Sequence, residues 1–305
     1  KTVAKQSAAN ARRAAEEQYA KDTLAATGLG QGIVSSQMLL DQMNGDDGEL
    51  TAQRAAADRE WTYGHIVVDE AQELTAMDWR MLIRRCPSRS FTIVGDVAQT
   101  SALAGTRRWD KTMNRLFGEG HWDLNELTIN YRNPREVSDL ASRFAQNEGL
   151  YISTVNAVRA LPDSVSRHVV DDMKALLTVT SNQAAQLANH FVSADGTGRI
   201  AIICPNDLIK PVREAVRHRL SSLMAPSEYQ RLIDQPEWDE QISVCGTEMV
   251  KGLEFDAVIV IEPGRIEDDA PSRLVAASDL YVATTRPTQK LVIVRTKEDE
   301  RSLNI

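Results

Sequence analysis

The chain has 305 residues, 42% hydrophobic and 26% charged, with a formal net charge of −8 and a pI near 5.3. That length suits roughly two domains of about 100–200 residues, and the acidic balance disfavours a protein whose whole surface grips nucleic acid while leaving room for a protein partner. No apolar run approaches the roughly 18–20 residues needed to span a membrane, and Cys86, Cys204 and Cys245 form no C-x-x-C spacing, so a cytoplasmic protein with reduced thiols is expected rather than a disulfide or zinc framework.

Residues 4–27, rich in Ala, Arg, Glu, Gln and Lys, predict a helix that the glycines at 28–32 end. Further helices are predicted near 35–43 and over 49–61, and this region carries no motif. From Tyr63 the pattern changes to alternating strands and helices. Strands are predicted at 64–69, 91–95, 200–204, 241–246, 256–262 and 290–295, and helices at 75–85, 134–147, 208–224 and 273–284. Between 150 and 198 the pattern gives one strand near 167–171 and a helix near 182–194. Continuous apolar strands such as Ala257-Val258-Ile259-Val260-Ile261 suit a parallel sheet covered on both faces. A boundary is predicted after the Gly118-Glu119-Gly120 turn. The expected domains are therefore a helical segment at 1–62, a first α/β unit at 63–125 and a second at 126–305.

Two predicted strands end in polar residues of a particular kind. His65-Ile66-Val67-Val68 runs into Asp69-Glu70-Ala71-Gln72, and Phe91-Thr92-Ile93-Val94 runs into Gly95-Asp96-Val97-Ala98-Gln99. Hydrolysis of a Mg-nucleotide needs a carboxylate for the metal and a second group to position and deprotonate water, held at the carboxyl ends of parallel strands. Asp69 and Asp96 are the candidates for the metal and its water shell, Glu70 for the base, and Gln99 for a group that reaches the γ-phosphate. Acids at a helix start would give the same dipeptide for dipole reasons, so it is the pair of strand ends that points to this chemistry. Arg132, in Asn130-Tyr131-Arg132, and Arg286, at a predicted helix end, have the planar fork suited to phosphate. Arg286 is placed to act as an arginine finger. In Lys251-Gly252-Leu253-Glu254-Phe255-Asp256, Gly252 would permit close backbone approach and Glu254 could accept a hydrogen bond from a ribose hydroxyl.

These five segments, in this order, resemble motifs II to VI of the UvrD/Rep class of superfamily 1 helicases. The resemblance implies two RecA-like (P-loop NTPase-type) parallel-sheet domains, the first incomplete, with ATP and Mg²⁺ bound between them. It implies Asp69 on the metal, Glu70 as catalytic base, Gln99, Arg132 and Arg286 on the γ-phosphate, and Glu254 on the ribose. The run from Ala55 through Trp61 into the Asp-Glu-Ala-Gln motif, with Cys86-Pro87-Ser88-Arg89-Ser90 and Leu127-Thr128-Ile129-Asn130-Tyr131-Arg132, is similar to the actinobacterial HelD branch. Members of that branch are helicase-like ATPases that bind RNA polymerase and free it from stalled complexes. A C-terminal motor fragment that remodels RNA polymerase is thus expected, as a cytoplasmic monomer. The alternative is a fragment of a UvrD-type DNA helicase or translocase, for which Arg107, Arg108 and Lys111 are candidate DNA contacts. A module that binds a partner without hydrolysing nucleotide is a third reading.

The departures matter as much. No Gly-x-x-x-x-Gly-Lys-Ser/Thr phosphate loop occurs in the chain, so the main backbone cradle for the β- and γ-phosphates is missing. The chain opens at Lys1-Thr2-Val3 without an initiator methionine and is expected to belong to a longer protein. Where UvrD-type enzymes place base-stacking aromatics after motif III, this chain has Thr100-Ser101-Ala102-Leu103-Ala104-Gly105. Losing a stacking platform removes about 1–3 kcal/mol per base, which weakens the unwinding alternative. The interval between Arg132 and Gly252 suits the rest of one RecA-like domain, with little room for a large insertion.

Overall fold

Each predicted strand forms, and two short strands join them that the pattern does not announce. In the computed structural model the described residues are 62–193, 195–233 and 240–299. The helices predicted at 4–27, 35–43 and 49–61 lie outside them. Residues 64–305 cluster as one compact unit.

Three parallel sheets organise this unit. The first pairs β1 (Ile66–Val68) with β2 (Phe91–Ile93), joined by helix α1 (Ala76–Arg85). Helix α1 begins with a capping box, in which Thr75 accepts from Asp78 N and the Asp78 carboxylate accepts from Thr75 N. Helix α2 (Trp109–Phe117) completes this part. Trp79, Met113, Phe91 and Ile93 form its small core. The second sheet pairs β3 (Ile129–Pro134) with β4 (Asn156–Arg159), with α3 (Arg135–Asn147) between them.

The third sheet has five strands in the order β5-β9-β8-β6-β7, all parallel. They are β5 (Val165–Val170), β6 (Ile200–Ile203), β7 (Ile242–Cys245), β8 (Phe255–Ile261) and β9 (Pro287–Thr296). Helices α4 (Met173–Phe191) and α5 (Ile209–Leu223) cover one face through Leu176, Leu187, Val212 and Val216. Helix α6 (Pro226–Ile233) follows α5. On the other face lie α3, α7 (Pro263–Asp269) and α8 (Arg273–Thr285), through Leu140, Phe144, Ile266 and Leu280. Burial on both faces explains why β6 and β8 read as uninterrupted apolar runs. Among the described residues no helix is long and apolar enough to cross a membrane.

The differences from the sequence pattern have physical causes. Helix α4 starts nine residues before the predicted 182, because Asp172 caps it by accepting from Ala175 N at 2.7 Å. Strands β3 and β4 escaped notice because each is short and half exposed, and their ladder steps out of register between Asn130 and Pro134. Helices α2, α6 and α7 are short and were not anticipated. Cys86 and Cys204 are buried as expected, whereas Cys245 is half buried. Burial pushes the Cys204 thiol up to about 12 and that of Cys245 to about 11.

Candidate functional site

The end of β1 delivers two carboxylates in different ways. Asp69 turns back and accepts from Glu70 N at 2.9 Å. Glu70 adopts φ 49°, ψ 36°, a left-handed conformation that is uncommon for a residue with a side chain and clusters at functional sites. Its Oε2 accepts from Gln72 Nε2 at 2.6 Å. Gln72 is only 1% exposed, and its Oε1 accepts from Asp96 N at 3.1 Å. One buried amide thus joins the two acidic strand ends. Gly95 makes this possible, since a Cβ there would stand 2.4 Å from Gln72 Oε1 and 3.1 Å from Ala71 N.

Asp96 starts a single 3-10 turn by accepting from Ala98 N at 2.9 Å, and its second oxygen accepts from Gln99 Nε2 at 2.9 Å. Burial raises the Asp96 pKa above 3.8, and the Gln99 hydrogen bond opposes that rise. With both oxygens engaged, Asp96 holds Gln99.

Gln99 Oε1 in turn accepts from Arg286 Nη2 at 2.8 Å. Arg286 closes α8 and is 3% exposed. Its Nε donates to Val282 O and its Nη1 to Leu253 O, both at 3.3 Å. Burial and then the nearby Arg132 lower its pKa, while Glu70, Glu254 and Asp96 oppose that change. The acceptors it reaches directly are neutral, and among the described residues no carboxylate is in ion-pair contact with it. A buried cation held by neutral dipoles favours an incoming anion.

Arg132 follows β3's departure from its ladder and pairs with Glu254 at 2.6 Å. Gly252 lies just upstream at φ 69°, with nothing within 4 Å of an added Cβ. This glycine supplies left-handed backbone and leaves open space beside it. Gln99, Arg132, Glu254 and Arg286 all line one cleft of about 650 Å³. Asp69, Glu70, Asp96 and Gly252 are not among its walls. Glu70 is connected to it through Gln72, Asp96 and Gln99.

Four further residues were missed as functional. Gln72 was visible only as the last letter of Asp-Glu-Ala-Gln. Tyr131 presents a ring 71% exposed on the cleft wall. Asn133 and Arg159 also line the cleft, and no sequence spacing marks them. Two of the candidate DNA contacts are already engaged within the protein. Arg107 Nη1 reaches Thr100 O at 3.4 Å. Arg108 forms a two-point pair with Asp110 and lies over the Tyr151 ring. Lys111 is exposed.

No protein-family model and no curated protein matches the chain. Among solved structures it is similar to the C-terminal domain of a possible DNA helicase from Lactobacillus plantarum WCFS1. The identity is 18% and the TM-score 0.38, over 55% of this chain and 88% of that one. A likeness this distant leaves function to be argued from the site itself.

Proposed function

We propose that this chain is the motor part of a helicase-like ATPase that couples ATP hydrolysis to remodelling or recycling of RNA polymerase. The observation that carries the reading is convergence. Gln99, Arg132, Glu254 and Arg286 come from four separated segments and meet in one cleft, and a hydrogen-bond chain ties that cleft to Glu70. Two arginines and a carboxylate in a cleft of this size fit a nucleotide polyphosphate with its sugar.

Bound Mg-ATP would supply the reactive phosphoryl group and the metal's charge. Asp69 would hold the metal. Glu70, held by Gln72, would orient a water and take its proton. Gln99, Arg132 and Arg286 would neutralise charge on the terminal phosphate, and Arg286 is already stripped of most of its water. Glu254 would accept from a ribose hydroxyl through Oε2, since Oε1 holds Arg132. Tyr131 offers a flat face to a base. The absent phosphate loop means that turnover needs a cradle supplied by further protein.

RNA polymerase is favoured as partner by the resemblance of residues 55–132 to the HelD branch, by the net charge of −8 and by the replaced stacking stretch at 100–105. The internal engagement of Arg107 and Arg108 also argues against a simple DNA groove there. The deciding experiment is calorimetric titration of Mg-ATP into this chain and into a longer form that carries a phosphate loop. Binding only by the longer form, retained in Glu70→Gln while turnover of about 1 s⁻¹ or more is lost, is the expected result. Tight binding by this chain alone would overturn the site map. Failure of the longer form to co-purify with RNA polymerase would overturn the partner.

A further inference from the structure

The backbone around Arg132 is not held by its strand. The β3–β4 ladder loses register between Asn130 and Pro134, so Tyr131, Arg132 and Asn133 lack regular strand partners there. Side chains take over. Asn130 Oδ1 accepts from both Arg132 N and Asn133 N at 3.0 Å, and Asn130 Nδ2 donates to Asn133 Oδ1 at 3.0 Å. Asn133, 4% exposed, then crosses to the other arginine. Its Nδ2 donates to Thr285 O and to Pro287 O, each at 2.8 Å. Those two carbonyls flank Arg286. From β4, Arg159 Nη1 repeats the bridge, donating to Arg132 O at 2.7 Å and to Thr288 O at 2.9 Å. Two side chains therefore tie the Arg132 segment to the Arg286 segment, Asn133 through two carbonyls beside Arg286 and Arg159 through one carbonyl in each segment.

We propose that Asn133 and Arg159 are positioning residues that fix the separation of Arg132 and Arg286, making the cleft a two-point clamp for a polyphosphate chain. This rests on reading the cleft as a nucleotide site and adds to it the parts that set its geometry. A chelating grip depends on the two guanidinium groups being held at a fixed spacing, because each loses most of its advantage if it must search for its phosphate. Asn133 is well suited, since one amide nitrogen supplies two donors, one to a carbonyl at the end of α8 and one to a carbonyl at the start of β9. Arg159 adds charge as well as bonds, because only its Nη1 is used in the bridge.

The test is calorimetric titration of sodium tripolyphosphate into the longer form that carries a phosphate loop, with thermal unfolding of every variant measured alongside. Asn133→Ala is expected to weaken binding about tenfold, the equivalent of one or two lost buried hydrogen bonds. Arg159→Met is expected to weaken it by about as much, and Arg159→Lys to recover part of the loss. In an Arg132→Gln background, where the two-point grip is gone, Asn133→Ala should change affinity less than about twofold. Loss of melting temperature with unchanged affinity would overturn the proposal and leave the polyphosphate reading intact. So would a tenfold loss that persists in Arg132→Gln. If tripolyphosphate does not bind the longer form with its natural sequence at millimolar concentration, both the clamp and the polyphosphate reading fall. Should Asn133→Ala not fold, Arg159→Met and Arg159→Lys decide the matter alone.

Discussion

The two ends of the proposed chemistry rest on very different foundations. Arg286 stands between α8 and β9 of a five-stranded sheet packed on both faces, whose β6 and β8 are almost wholly buried. The carboxylates stand on β1 and β2, three residues each, with one face against a small core and the other open, where Val67 is 68% and Val94 48% exposed. Arg286 is held by packing. The acidic half is held by polar contacts, chiefly the Gln72 amide and the reach of Gln99 to Arg286. Such a division lets the acidic loops adjust while Arg286 keeps its place.

The comparison can be broken most directly by truncating each foundation. Ile259→Ala, at a fully buried position of β8, should cost about 2–5 kcal/mol in denaturant unfolding. Val67→Ala, on the open face of β1, should cost about 0.5 kcal/mol or less. Equal losses would mean that β1 is covered as thoroughly as β8. Next in size is Gly95→Ala, which pushes a methyl group into Gln72 and should destabilise by about 1–3 kcal/mol. Its effect should concentrate on the β1–β2 part, seen as faster amide exchange at 69–72 and 95–99 than in β8. Gln99→Ala comes third. It removes the acceptor on Arg286 and should cost about 1–2 kcal/mol, with exchange quickening at both 96–99 and 283–286. A change confined to one side would show that the two are not coupled through this bond.

The smallest effect is a pH dependence. Burial raises the Asp96 pKa above 3.8, so the folded protein holds this proton more tightly than the unfolded chain. Its contribution to stability is fully present below about pH 4 and is lost as pH rises through the raised folded-state value. Asp96→Asn carries no such loss. The melting temperature of the variant relative to wild type should therefore rise between pH 4 and pH 8. A gap that stays flat or narrows would show that Gln99 and Arg286 stabilise the charged form enough to outweigh burial.

The centre of the five-stranded sheet was legible because β6 and β8 are buried on both faces and announce themselves as Ile-Ala-Ile-Ile and Ala-Val-Ile-Val-Ile. Helix α8 and the ends of β1 and β2 were legible for related reasons, an apolar run ending at a sharp chemical change. Strand β4 was not, since Asn156-Ala157-Val158-Arg159 buries only its alanine fully. In the site, the sequence pointed to charged residues and passed over the amides. Gln72 and Asn133 act by joining segments far apart in the chain, and neither partner can be read from local spacing.

The order of strands has a consequence for synthesis. Strand β9 is the latest of the five in the chain, yet it lies between β5 and β8 and is the strand against which β5 pairs. Chain emerges from a ribosome at about 5–20 residues per second, so on the order of ten seconds separate the appearance of β5 from that of its neighbour. Through that interval β6, β7 and β8 can assemble while β5 waits with an open edge. A nascent chain interrupted before Pro287 would lack both the strand that completes the sheet and the carbonyl that Asn133 grips, so the clamp and the sheet are finished in the same act of translation.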